Sequence, residues 1–200
     1  MSAALGKTHY TPEEYLQLER NALYKSEFVD GRIYAMTGAS RTHNLITINI
    51  AREISNQLKN RPCEAYINDM RVKAETARSY HYPDIAIVCG EPAFEDAQTD
   101  TLTNPTVIIE VLSPSTEAYD RGAKFMHYRQ IESLREYLLI SQERPSIERY
   151  VRQHEAWLLT EATGLDASVH LDTIDCVLRL EEVYDKVSLL SEDARETSIR

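Results

Sequence analysis

Two short apolar segments, each carrying one carboxylate, constrain the fold of this chain more than any other feature. Residues 82–88 and 105–112 are rich in β-branched side chains, which is typical of strands buried on both faces of a sheet. Asp84 lies in the first segment and Glu110 in the second. A buried carboxylate must be hydrogen-bonded, protonated or bound to a cation, because an unpaired buried charge is strongly destabilising. Two acids on neighbouring strands favour the cation.

Side-chain alternation predicts where these two acids lie. Asp84 shares a strand face with Ala86, and Glu110 shares one with Ile108. If the strands pair with both acids at matching ends, the two carboxylates meet at one edge of the sheet. Hard oxygen ligands of this kind suit Mg²⁺ or Mn²⁺, which complete their coordination with water and substrate phosphate. We therefore predict a site for Mg²⁺ or Mn²⁺ here, with Lys124 on the following helix positioning water or neutralising charge.

Length and charge narrow the class of protein. The 200 residues fit a single domain, residues 1–200, and the 42% apolar content is that of an ordinary globular protein. The 22 Lys and Arg residues against 32 Asp and Glu give a net charge of −10. This balance disfavours a non-specific DNA-coating protein, because phosphate contacts supply most of the affinity of such proteins. A local basic groove or a bound divalent ion can still offset the net field.

The sequence contains no sign of a membrane segment or of a disulfide framework. No apolar run approaches the roughly 20 residues of a membrane span, and residues 1–7 lack the pattern of a signal peptide. Cys63, Cys89 and Cys176 are odd in number and form no CxxC pair. We therefore expect neither a disulfide framework nor a zinc knuckle, no membrane association, and a reducing, cytoplasmic location.

The predicted elements follow the order of a mixed α/β fold. A capping box at 11–14 predicts a helix start, and Asp30-Gly31 predicts the turn of a hairpin within 24–36. Isoleucines four residues apart predict a long helix at 40–60. Strands are predicted at 64–73, 82–89 and 106–112, a solvated loop at 90–104, a helix at 117–132, and a strand at 136–141. Weaker strands follow at 146–152, 156–160 and 176–180, and the tail at 191–200 is expected to fray.

These residues resemble a known nuclease superfamily. Pro83-Asp84 on one strand and Glu110 on the next look like the acids of PD-(D/E)xK nucleases, whose core runs helix, three strands, helix, strand. A closer resemblance, over about residues 11–140, is to the Uma2-like (DUF820) family of restriction endonucleases. Its pattern is matched by Glu27, Asp30-Gly31, His43, Pro83-Asp84, Glu110-Val111-Leu112-Ser113-Pro114-Ser115-Thr116, Asp120, Lys124 and Tyr128.

The resemblance implies a restriction-endonuclease-like core at about residues 40–141 and a metal-dependent endonuclease acting on DNA. It implies that Asp84 and Glu110 hold Mg²⁺ or Mn²⁺ and that Lys124 and Glu27 complete the catalytic set. One departure matters: the parent superfamily has its lysine two residues after the acid, where this chain has Leu112. The closer family's pattern moves the lysine to the helix, which places it at Lys124.

Each candidate also has a structural interpretation. Asp84 could have a purely structural role, making local hydrogen bonds at the start of its strand. Lys124 could simply form an ion pair with Asp120, four residues earlier. Glu27 is either a third carboxylate at the site or an exposed hairpin acid. His43 is either a core or capping residue, or it contacts metal ligands or phosphate. Arg71 and Lys73 either contact phosphate or lie on a solvated strand face. Tyr128 is expected to pack against the sheet, and His81 carries only a weak signal.

Two other functions remain open from the sequence. A catalytically silent nuclease-like fold acting as a protein-interaction module is favoured by the net acidity and by Leu112. A hydrolase of small phosphorylated metabolites would also explain the acidity, but no glycine-rich phosphate loop supports it. A homodimer is plausible for a small nuclease that must cut two strands.

Overall fold

The computed structural model describes residues 7–76 and 78–189, and its N-terminal elements follow the local signals of the sequence. Helix α1 (Pro12–Glu19) begins at the predicted capping box, in which Thr11 and Glu14 each accept a hydrogen bond from the other's backbone N–H. Strands β1 (Ser26–Val29) and β2 (Arg32–Ala35) form the predicted hairpin around Asp30-Gly31. Both turn residues have positive φ, 41° and 86°, as a tight two-residue hairpin turn requires.

Gly31 gives the first testable prediction. A Cβ at this position would lie 2.0 Å from the His9 ring, and its φ of 86° strains any other residue. We expect Gly31→Ala to reduce the free energy of unfolding by at least about 1 kcal/mol, measured by urea denaturation. Gly38→Ala is the matched control, because nothing lies within 4 Å of a Cβ built there. Equal stability of the two variants would contradict this prediction.

The central sheet has the predicted nuclease-like order of elements. Helix α2 (Arg41–Gln57) is followed by strands β3 (Cys63–Ile67), β6 (Ile85–Cys89), β8 (Val107–Val111) and β9 (Glu136–Ile140). Strands β10 (Ser146–Gln153) and β11 (Ala156–Thr163) extend it into a six-stranded sheet of order β11-β10-β9-β8-β6-β3. Only the β8–β9 pair of this sheet is parallel. The predicted mixed sheet flanked by helices is confirmed.

A second sheet was not predicted. Strands β4 (Arg71–Ala74), β5 (Ser79–His81) and β7 (Thr101–Leu102) join the N-terminal hairpin in the order β2-β1-β5-β4-β7. The single strand predicted at 64–73 is therefore wrong, because the chain leaves one sheet at Ile67 and enters the other at Arg71. Asn68, between them, has a φ of 57° that breaks the extended run. The loop at 90–104 was predicted as fully solvated but contains β7.

The helical segment after β8 is shorter than predicted and has a π-helical turn at its centre. It consists of α3 (Glu117–Tyr119), the π-helical turn Asp120–Lys124, and α4 (Phe125–Tyr128). Turns of this kind are rare and occur frequently at functional sites. Both ends of this turn, Asp120 and Lys124, are buried.

The two faces of the central sheet pack against different helices. Ile46, Ile50 and Ile54 of α2 pack on one face with Ile85 and Ile109. The other face packs against the 117–128 segment through a separate apolar cluster that includes Ala86, Ile108, Tyr128 and Tyr137. The sheet is therefore covered on both sides, as its continuous apolar strands predict.

The C-terminal third adds a small sheet and a short helix. Strands β12 (Ser168–Leu171) and β13 (Cys176–Arg179) pair with each other, and α5 (Leu180–Val183) follows them. The sequence predicted β13 but not β12 or α5. The tail at 191–200, expected to fray, lies outside the described residues. No helix in the described ranges is long and apolar enough to cross a membrane.

No disulfide framework was expected from the sequence, but two of the three cysteines are paired. Cys63 and Cys89 form a disulfide across the β3–β6 pair, where they are direct register partners with Cα atoms 4.0 Å apart. Cys176 is free and buried. The odd number of cysteines concealed the pair, because sequence spacing does not reveal cross-strand neighbours. Because a disulfide is present, the cysteines no longer support a cytoplasmic location.

Candidate active site

Asp84 and Glu110 are brought together where β6 and β8 meet. These strands pair antiparallel with Ile85 opposite Ile109, so the next step of the register sets Asp84 opposite Glu110. Asp84 Oδ2 accepts a hydrogen bond from the Val111 N–H at 2.7 Å and lies 3.2 Å from His43 Nε2. Val111 lies 27 residues further along the chain, so this is a cross-strand hydrogen bond and not the local one considered for Asp84. It ties the carboxylate to the strand that carries Glu110.

Glu110 is almost fully buried, with 4% of its surface exposed. Its Oε1 lies 2.8 Å from Lys124 Nζ and accepts a hydrogen bond from the Tyr128 hydroxyl at 3.2 Å. Burial raises the pKa of Glu110 well above its usual value, and the negative charges of Asp120 and Asp84 add to the effect, while Lys124 opposes it. Tyr128, predicted to pack, does pack and also contacts this carboxylate.

Lys124 is at the centre of three carboxylates. Its Nζ lies 2.8 Å from Glu110, 3.3 Å from Glu27 and 3.5 Å from Asp120. Burial alone would lower the pKa of Lys124, but Glu110 and Glu27 outweigh it and hold that pKa well above the ordinary value. The simple pair with Asp120 exists, yet it is the longest of the three contacts. Lys124 is therefore a firmly charged ammonium inside the site.

Glu27 reaches the site from the other sheet and is buried, so the exposed-acid interpretation is wrong. Its Oε1 accepts a hydrogen bond from the Tyr82 N–H at 3.1 Å, and its Oε2 lies 3.2 Å from His81 Nδ1. Burial opposes ionisation of this carboxyl, but Lys124, His81 and the Tyr82 N–H together lower its pKa to about 2. Glu27 is thus an ionised partner of Lys124.

The lowered pKa of Glu27 predicts a pH-dependent stability. A carboxyl group with a pKa of about 2 in the folded state and about 4.5 when unfolded stabilises the fold above pH 4.5 and loses this effect as the pH falls toward 2. We expect Glu27→Gln to cost about 3 kcal/mol at pH 7, with the cost shrinking below pH 4. Urea denaturation at pH 7 and pH 3 measures it, with the exposed Glu155→Gln as control. A cost independent of pH would contradict this assignment.

A buried histidine pair extends the site and was largely missed from the sequence. His81, fully buried, contacts Glu27 through Nδ1 and His127 Nδ1 through its Nε2, at 3.1 Å. Tyr119 packs edge-on against the His81 ring. Burial lowers the pKa of both histidines. His81 carried only a weak sequence signal, and periodicity does not connect it with His127, which lies 46 residues further along the chain.

The site carries more negative than positive charge. Glu110, Glu27 and Asp120 surround one ammonium, that of Lys124, and Asp84 adds a fourth carboxylate opposite Glu110 in the strand register. Within residues 7–76 and 78–189, no three His, Cys, Asp or Glu side chains form a ready metal cluster. Mg²⁺ does not require one, because it binds through one or two carboxylates and takes its other ligands from water and phosphate. The donor set at Asp84 and Glu110 therefore fits Mg²⁺ or Mn²⁺, and a divalent cation would offset the excess charge.

Arg71 and Lys73 lie away from this cluster. Arg71 is buried, pairs with Asp100 at 2.5 Å and hydrogen-bonds the Tyr82 hydroxyl. Lys73 is held by Glu75 and, at 2.9 Å, by Glu95. Both basic residues are therefore occupied by structural ion pairs, and neither interpretation made from the sequence, phosphate contact or a solvated strand face, describes them.

The comparisons with known proteins agree on the class of fold. A solved structure described as "a putative nuclease belonging to DUF820 from Anabaena variabilis" is similar to this chain, with a TM-score of 0.75 and 18% identity, covering 90% of this chain and 99% of that one. At this identity the likeness shows the fold, which is nuclease-like. The family model Uma2, described as "Putative restriction endonuclease", matches residues 12–181. The chain belongs to the Uma2 family.

Two relatives from Synechocystis sp. are similar over most of their length. The uncharacterized protein sll1609 is 41% identical over 160 residues, which is 80% of this chain and 90% of that protein. The uncharacterized protein slr1290 is 35% identical over 175 residues, which is 87% of this chain and 90% of that protein. The family recognised from the sequence motifs is thus confirmed.

Proposed function

We propose that this protein is a metal-dependent endonuclease that hydrolyses DNA phosphodiester bonds. The observation that carries the proposal is the convergence of Asp84, Glu110, Glu27 and Lys124 at one end of the β6–β8 pair. Membership of a family described as restriction endonucleases supports the reaction class. Asp84 and Glu110 are proposed to hold Mg²⁺ or Mn²⁺.

The residues of the site have separate roles in the proposed reaction. A bound divalent cation supplies Lewis acidity toward the phosphate. The His43 ring and the Val111 N–H fix the orientation of the Asp84 carboxylate. Lys124 donates a hydrogen bond to the attacking water or to the phosphate oxygen that gains negative charge, which is the type of stabilisation that contributes most in such sites.

Glu27 and Asp120 have a different role, which is to hold the ammonium of Lys124. Both lie within 3.5 Å of its Nζ, and they approach from different parts of the fold, one from β1 and one from the π-helical turn. Lys124 therefore occupies the functional place that Leu112 leaves without a charge.

A cleavage assay with metal removal tests the proposal. We expect supercoiled plasmid or labelled oligonucleotides to be cut with Mg²⁺ or Mn²⁺, to survive in EDTA, and to be cut again when excess metal is restored. The assay needs several salt concentrations, because binding to phosphate depends strongly on salt. No cleavage of any DNA form under these conditions, or cleavage unaffected by EDTA, would contradict the proposal.

The competing function is a catalytically silent nuclease-like module that binds proteins. The net charge of −10 and the presence of Leu112 favour it. The two functions differ in one simple result, since a silent module predicts no Mn²⁺ binding that depends on Asp84 and Glu110.

Homodimerisation remains part of the proposal. The edge strand β11 exposes Leu158 and Leu159, which are 46% and 49% exposed, and an apolar edge of this kind favours association. Sedimentation of the purified chain tests it, with a mass of two chains expected.

A cytoplasmic location is also proposed. The Cys63–Cys89 disulfide weighs against the argument from unpaired cysteines that first supported this location.

A further inference from the structure

The hairpin that carries Glu27 also presents an aromatic side chain beside the site. In the β1–β2 register, Glu27 is directly opposite Tyr34 and Val29 is opposite Arg32. Directly opposite residues of an antiparallel pair project to the same side of the sheet, with Cβ atoms about 5 Å apart. Because Glu27 contacts Lys124 and His81 on that side, Tyr34 and Arg32 share the face that meets the site.

Tyr34 is half exposed despite this position, with 50% of its surface accessible. No hydrogen-bond partner for its hydroxyl lies within the part of the chain that the structure describes. Tyr119, which packs against His81, is a neighbour of Tyr34. Burial raises the pKa of Tyr119, and Tyr34 adds to this rise. Tyr34 is thus a half-exposed aromatic side chain beside a buried polar network, and its hydroxyl has no hydrogen-bond partner among the described residues.

Two guanidinium groups near the site also lack partners. Most described Lys and Arg side chains are held by carboxylates, such as Arg20 by Asp96 and Asp100. Arg32 and Arg41 have no carboxylate within ion-pair distance among the residues that the structure describes, and both are exposed. Arg41 is in the first turn of α2, two residues before His43, which contacts Asp84. Arg32 therefore shares the hairpin face of Tyr34, and Arg41 lies about half a helical turn from His43. Neither guanidinium is paired with a carboxylate of the described residues.

We propose that the substrate of this site is single-stranded or locally unpaired DNA, with one base stacked on Tyr34 and adjacent phosphates bound by Arg32 and Arg41. This inference rests on the proposed nuclease function and names its substrate class. Stacking needs no net positive charge and is sequence-tolerant, but it requires a base whose face is free. A chain of net charge −10 with few unpaired cations is poorly suited to track the phosphates of a duplex.

Binding measurements in EDTA test the stacking residue separately from catalysis. Fluorescence anisotropy would compare a labelled single strand with the duplex of the same sequence. We expect the single strand to bind more tightly, Tyr34→Leu to weaken its binding roughly tenfold or more, and Tyr34→Phe to retain it. Because Tyr34 is half exposed, neither variant should change the fold, and thermal melting checks this. Equal binding by the leucine and phenylalanine variants, or tighter binding of the duplex, would overturn the proposal.

The test of Arg41 has a matched control beyond the other end of α2. Arg41→Ala should weaken single-strand binding and lower the slope of log affinity against log salt by about 0.7. Lys59→Ala removes an exposed cation that has no ion-pair partner among the described residues, and it should change neither quantity. If the salt dependence of the affinity is unchanged in Arg41→Ala, Arg41 does not contact the substrate, and its proposed binding of the phosphates is wrong.

Parallel cleavage assays separate the two levels of inference. If Tyr34-dependent single-strand binding occurs without metal-dependent cleavage, single-strand binding at Tyr34 is established and the nuclease proposal fails. If duplex is cut as fast as single strand and Tyr34→Leu cuts normally, the nuclease proposal stands and the substrate class is wrong.

Discussion

Replacing Lys124 by methionine is expected to lower the rate of metal-dependent DNA cleavage by about 10²–10³-fold, the usual cost of removing one preorganised electrostatic contact. Methionine fills a similar volume, so the effect comes from the ammonium. The three carboxylates within 3.5 Å then lose their counter-charge. Mn²⁺ binding should persist in this variant, because the proposed metal ligands remain.

Lys73→Met is the control for this prediction. Lys73 is also a partly buried lysine held by two glutamates, Glu75 and Glu95, but it lies on β4 away from the cluster. Its replacement should leave cleavage unchanged. Single-turnover rates under saturating metal give the comparison. Equal loss in both variants, or full activity in Lys124→Met, would show that Lys124 is only a structural ion-pair partner.

Glu110→Gln and Glu136→Gln are expected to have opposite effects. Both glutamates lie in adjacent buried strands, at 4% and 0% exposure. Glu136 is satisfied by Arg149 at 2.7 Å and by the Thr173 N–H at 2.8 Å. Glu110 instead lies near two other acids, Asp120 and Asp84. Burial raises the pKa of Glu110 well above its usual value, and the charges of these two acids raise it further.

Loss of the Glu136 charge should therefore destabilise the protein by about 3–5 kcal/mol, since it breaks a buried ion pair, and should leave the chemical step intact. Loss of the Glu110 charge should cost less stability, because its partner Lys124 keeps two other carboxylates, Glu27 and Asp120. It should reduce cleavage by about 10²–10³-fold. Denaturant midpoints and single-turnover rates on both variants give the four values. The same pattern in both would mean that Glu110 is another structural acid.

The contrast between these two glutamates shows how far the sequence could be interpreted. The premise that a carboxylate in a buried strand needs a cation applies equally to Glu110 and Glu136. For Glu136 the cation is Arg149, which lies on the next strand of the hairpin and cannot be paired with it from periodicity alone. The family resemblance, and not burial, separated the two acids.

Local signals predicted the parts of the fold that local chemistry determines. The α1 capping box, the Asp30-Gly31 turn and the isoleucine spacing of α2 each act within a few residues, so their elements formed as expected. The pairing of β6 with β8 also followed, because two short buried strands near each other in the chain tend to be neighbours.

Long-range features of the site could not be predicted in this way. The burial of Glu27 depends on a second sheet assembled from five strands between residues 26 and 102. The contact of His81 with both Glu27 and His127 joins three distant parts of the chain. The Cys63–Cys89 disulfide likewise arises from strand register. Each requires knowledge of the sheet order, which apolar periodicity does not contain.

Titration calorimetry with Mn²⁺ tests the central claim most directly, because it asks whether Asp84 and Glu110 hold a divalent cation without requiring any substrate. The wild-type protein is expected to bind Mn²⁺ at a site that is lost in both Asp84→Asn and Glu110→Gln and retained in Glu136→Gln. Absence of binding in the wild type, or binding that survives both site substitutions, would contradict it.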